Sequence, residues 1–116
     1  MTMEEFFKKM FNEANDKNKA EIAYLMSRYV HTKNITMILK DTNGLMDFID
    51  SYYLMHDKKI GFYDGDEFVE VFICEPYDLG SGMMELTATE KLKEFLDTIE
   101  CKKLVTEFSF ALLKER

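Results

Sequence analysis

The chain has 116 residues, 47% of them apolar and 32% charged, with a formal net charge of −7. Ten Phe and six Tyr exclude a disordered chain, and a longest apolar run of four residues is far short of the ~20 that a membrane helix needs. Charge is unevenly spread: residues 1–40 hold seven bases and five acids, residues 41–100 four bases and fifteen acids, and residues 101–116 four bases and two acids.

That acidic middle has the wrong sign for direct contact with nucleic acid, which needs bases to displace phosphate counterions. Two cysteines, Cys74 and Cys101, make no disulfide framework. The start lacks the basic cluster and apolar run of a signal peptide, so the expected location is the cytoplasm, of its own cell or of a host cell. One proline and five glycines leave little room for a linker, and a single domain over residues 1–116 is expected.

Thr2 to Glu5 forms a capping box, and Phe6, Phe7, Met10, Phe11 and Ala14 follow at helical spacing, predicting a helix over 3–14. Asn18 and Glu21 repeat the box ahead of Ile22, Leu25, Met26, Tyr29 and Val30, which predicts a second helix over 19–31. The short turn between them suggests a helical hairpin. Ile35 to Leu39 suits a strand, and Asp41 to Gly44 suits a turn. Leu45, Phe48, Ile49, Tyr52 and Tyr53 return to helical spacing and predict a helix over 45–55, although Tyr52-Tyr53-Leu54 would also suit a strand.

Lys59–Tyr63 and Glu67–Glu75 flank Asp64-Gly65-Asp66, which reads as a β-hairpin ended by Pro76. Tyr77 to Gly82 is expected as loop and Met83–Leu86 as a short strand or an extended lead-in to the next helix. A third box, Thr87 to Glu90, opens a predicted helix over 88–100. In 103–113, Leu104, Thr106, Phe108, Phe110 and Leu112 alternate, although Leu104, Phe108, Ala111 and Leu112 also fit a helix. Aromatic and β-branched content favours the strand. The expected class is α+β, with an antiparallel or mixed sheet of about four strands packed on helices in the order α-α-β-α-β-β-α-β.

Each hint of chemistry has a plainer reading. Asp64, Asp66, Glu70 and Glu75 fall at calcium-loop positions, but Val69 stands where such a loop turns on glycine, so a hairpin with solvated acids is expected. Gly80-Ser81-Gly82 lacks the remainder of a phosphate cradle. His31 and His56 are expected at helix ends, Cys74 in an apolar strand, and Cys101 at a helix end, where Lys102 and Lys103 would favour its thiolate but a buried or incidental thiol is the expected reading. No catalytic residue, metal site or cofactor is predicted.

Tyrosines beside the acidic hairpin suit protein recognition, offering large contact area around a polar tip. Tyr63, Asp64, Asp66, Glu67, Glu70, Tyr77 and Asp78 are the expected partner-binding residues, gathered on one acidic face. The expected function is a small non-enzymatic protein that docks on a basic partner, such as a nucleic-acid-binding effector, and blocks or regulates it. Its style fits a phage or mobile-element antagonist such as an anti-CRISPR, or a toxin immunity protein. The alternatives are an assembly subunit or homodimer joined through the hairpin edge, and a small enzyme or ligand-binding domain using surface carboxylates.

Overall fold

A computed structural model describes residues 1–32, 36–40, 55–56, 59–76 and 83–114. Helix α1 spans Met3–Glu13 and opens with the predicted box: the Glu5 N–H donates to the Thr2 hydroxyl at 3.2 Å, and the Thr2 N–H to the Glu5 carboxylate at 3.0 Å. Those bonds hold the Glu5 carboxyl below its ordinary value. Phe6, Phe7, Met10 and Phe11 are all buried on one side. Helix α2, Asp16–Thr32, starts three residues before the predicted 19–31. Asn15 caps it, its side chain accepting from the Asn18 N–H at 2.9 Å, while Asn18, the expected cap, is buried within the first turn.

The strands are β1 (Thr36–Lys40), β2 (Met55–His56), β3 (Lys59–Asp64), β4 (Glu67–Pro76) and β5 (Met83–Ala88). They form one antiparallel sheet in the order β1-β5-β4-β3-β2. Its centre is three-stranded, β5-β4-β3, with β1 and the two-residue β2 at the edges. The β3–β4 hairpin forms over the predicted segment, and because Asp64 pairs with Glu67 its two turn residues are Gly65 and Asp66. Gly65 takes φ 63°, a left-handed value that glycine adopts freely and that matches the twist of two-residue hairpin turns. The helix expected over 45–55 lies outside the described residues except at Met55, which is in β2.

Helix α3 (Glu90–Leu96) and helix α4 (Ile99–Lys114) replace the predicted helix over 88–100 and the predicted strand over 103–113. Thr87 and Ala88 finish β5, and Thr89 caps α3 instead of Thr87. At the α3–α4 break the Thr98 hydroxyl accepts from the Cys101 N–H at 3.1 Å and so starts α4. Cys101, Leu104 and Phe108 are buried, but Phe110 is 60% exposed and Thr106 is also exposed. The core thus selects the helical period and overrides the β-propensity of the segment. The described order is α-α-β-β-β-β-β-α-α: the α+β class is as predicted, and the arrangement differs at the end.

The four helices among the described residues lie over one side of the sheet. Phe6 packs on Phe62, Phe7 on Phe72 and Phe95, and Phe11 stacks on Phe108 at 4.0 Å. Each such ring contributes about 2 kcal/mol or more by burial. Tyr29 reaches from α2 to donate to the Leu86 carbonyl at 2.9 Å, which satisfies its hydroxyl in a site whose burial pushes its pKa up.

Candidate functional site

Strand β4 is bulged: Ile60 pairs with Phe72 and Gly61 with Glu70, leaving Val71 as an extra residue. Both Val71 and Phe72 are therefore buried, and the alternation shifts by one along the strand. A Cβ at Gly61 would run into the Val69 carbonyl oxygen, so the close approach at the bulge needs glycine. Before the bulge Phe68 and Glu70 point away from the helices; after it Ile73 and Glu75 do.

Cross-strand register adds Tyr63, Lys59, Thr87 and Glu85 to that outer face. Tyr63, 50% exposed, meets Phe68 with ring centroids 5.2 Å apart. Lys59 pairs with Glu70 at 3.0 Å. Glu75 and Glu85 lie directly opposite each other, two like charges on neighbouring strands. Thr36 and Thr87 hydroxyls approach to 3.4 Å across β1 and β5.

Where β5 ends, Thr89 takes over the flank of β4. Its hydroxyl donates toward the Glu70 and Val71 carbonyls at 2.6 and 3.0 Å, and its N–H donates to Val71 at 3.1 Å. Beside it runs an open groove of about 400 Å³ lined by Phe68, Glu70, Ile73, Thr89, Glu90 and Lys91. Val69 and Ala88, which face the helices, line it too, so the groove straddles the free flank of β4, while the Tyr63–Phe68 pair, Ile73 and the Glu70 and Glu75 carboxylates share the outer side.

The predicted site residues are only partly brought together. Tyr63 and Glu70 share the outer face, and Asp66 and Glu67 are exposed at or beside the hairpin turn. Asp64 alternates to the helix side, where its carboxylate lies 3.4 Å from the Met1 ammonium. Tyr77 and Asp78 lie outside the described residues. Phe68, Ile73 and Glu85 belong to the same surface and were not anticipated, because the bulge that aims them leaves no mark in the local pattern.

The other chemical hints separate. Asp64 and Glu70 face opposite sides of the sheet, and among the described residues no group of three His, Cys, Asp or Glu could hold a metal ion. His31 is exposed in the last turn of α2, as expected. His56 lies in β2 rather than at a helix end. Cys74 is half-buried in β4, and Cys101 is fully buried in the first turn of α4, as the plainer reading of that thiol expects. Gly80-Ser81-Gly82 falls outside the described residues. Among the described residues no helix is long and apolar enough to cross a membrane.

The class these features define is an α+β protein with an antiparallel sheet, its described helices on one side and aromatic and acidic side chains turned to the other. No family model matches the chain, and no curated protein or solved structure matches it either.

Proposed function

We propose that this protein acts by binding, its acidic sheet face docking on a basic surface of another protein and blocking or regulating it. The observation that carries the reading is the composition of that face and the adjoining turn. Glu70, Glu75 and Glu85 share the outer face with the Tyr63–Phe68 pair, Asp66 and Glu67 stand exposed at and beside the turn, and Lys59 pairs with Glu70. Rings anchor by excluding water, and the carboxylates steer the encounter and select a partner of opposite sign. A nucleic-acid-binding effector presents such a basic groove, which suits the antagonist and immunity-protein readings equally.

The test uses the full chain as bait in an extract of its source cells, beside an Asp66→Lys/Glu67→Lys variant. Asp66 is a turn residue and Glu67 the first residue of β4, and both are exposed, so folding is retained. The expected result is a basic protein captured by the parent and depleted with the variant, with association slowed about tenfold at low salt and less at high salt. Equal capture and equal association rates at low salt would rule this surface out.

A further inference from the structure

Helix α4 has apolar side chains on two opposite faces. Cys101, Leu104 and Phe108 turn into the core. On the far side Ile99, Lys103, Thr106, Phe110 and Leu113 recur at alternating four- and three-residue intervals. Ile99, Phe110 and Leu113 are 67%, 60% and 61% exposed, more than any other large apolar side chains among the described residues. A groove of about 480 Å³ runs between Ile99 and Phe110 over Thr106, edged by Lys102, Lys103 and Glu107. Four–three spacing is the seam by which one helix packs along another.

We propose that a second copy of this chain occupies that seam, α4 against α4, antiparallel about a two-fold axis. Charge selects the direction. Packed parallel, Lys103, which stands on the seam itself, would meet its own copy. Packed antiparallel about the midpoint between Leu104 and Val105, Ile99 falls opposite Phe110 of the second copy, and Lys103 falls beside its Glu107. The two-fold repeats both contacts, so the face carries its own complement in apolar groups and in charge. One helix of 16 residues per copy, ~24 Å long, covers less than a standard interface, and the pairing is correspondingly weak, with a Kd near 100 µM on the order-of-magnitude scale of small interfaces.

Sedimentation equilibrium of the full chain from about 10 µM to about 1 mM tests this, a range chosen to bracket that affinity. A monomer–dimer equilibrium is expected. Phe110→Asp should abolish it while leaving the far-ultraviolet dichroism and the dilute melting transition unchanged. Lys103→Glu should weaken dimerisation by about tenfold, and Lys103→Glu/Glu107→Lys should restore it, as a swapped ion pair does. A chain that stays monomeric throughout, a dimer that survives Phe110→Asp, or a double variant no better than the single would each overturn the proposal.

Discussion

Tyr29 shows what a single side chain can carry in this core. Its ring stacks near Phe72 and its hydroxyl closes a bond from α2 to β5, joining the helix layer to the sheet. Tyr29→Phe removes that bond and leaves the Leu86 carbonyl short of a donor, so a loss of about 1 kcal/mol is expected in urea unfolding. The phenol's pKa is raised by burial above its ordinary value of 10, which fixes the sign of its pH dependence. Its contribution is complete below pH 10 and is lost as the pH climbs beyond, because the unfolded chain ionises first. The alkaline loss of stability should therefore be shallower in Tyr29→Phe; an identical alkaline limb would show that this phenol is not responsible. At this scale the sequence was readable where a residue's surroundings are local. Thr2 and Glu5 cap α1 as their spacing predicts, but the cap of α2 passes from Asn18 to Asn15, because Ile22, Leu25, Met26 and Tyr29 leave the register of the helix start free by three residues.

Among the elements, β4 sets the site. The bulge at Val71 lets one strand bury Val71 and Phe72 together and still turn Phe68, Glu70, Ile73 and Glu75 outward. Two glycines on the hairpin separate the causes. Gly61→Ala forces a Cβ into the Val69 backbone and should cost about 3 kcal/mol, while Gly65→Ala, open on all sides but at positive φ, should cost about 1 kcal/mol. Chemical denaturation of the two variants checks the order; the reverse order would mean that the strands shift to relieve the bulge. The hairpin was legible because turn chemistry and alternation agree over Lys59–Glu75. The 103–113 segment was not: Leu104, Phe108 and Leu112 satisfy both periods, and only packing on α1 and α2 leaves Phe110 outside. The bulge was illegible for a different reason, since a run of Phe68, Val69, Val71, Phe72 and Ile73 hides which residues face which way.

For the molecule as a whole, the acidic excess does not resolve into one patch. Asp66, Glu67, Glu70, Glu75 and Glu85 mark the turn and the outer sheet face, while Asp64 sits against the start of α1 and Glu90 and Glu100 against the helix ends. The ion pairs Glu4–Lys8, Glu90–Lys93 and Lys59–Glu70 are substantially exposed and contribute little each. Repulsion within a chain of net charge −7 therefore outweighs them. Raising salt from about 0.01 M to about 0.5 M should increase stability by roughly 0.5–1 kcal/mol in urea titrations, since screening relieves repulsion more than it weakens exposed pairs. A loss of stability on adding salt would show that attraction dominates. Pairing through α4 uses none of the residues Tyr63, Glu70, Glu75 and Glu85, so a dimer would present two docking surfaces and hold a repetitive basic target more tightly than either alone.

The Thr89 hydroxyl lies against the flank of β4 just where its neighbour strand departs. A bare flank there would template the addition of further strands, the first step toward fibrils. With two carbonyls already engaged by one threonine, growth of the sheet by addition at that point is blunted, and the protein can expose rings and an oily floor to a partner without inviting its own polymerisation.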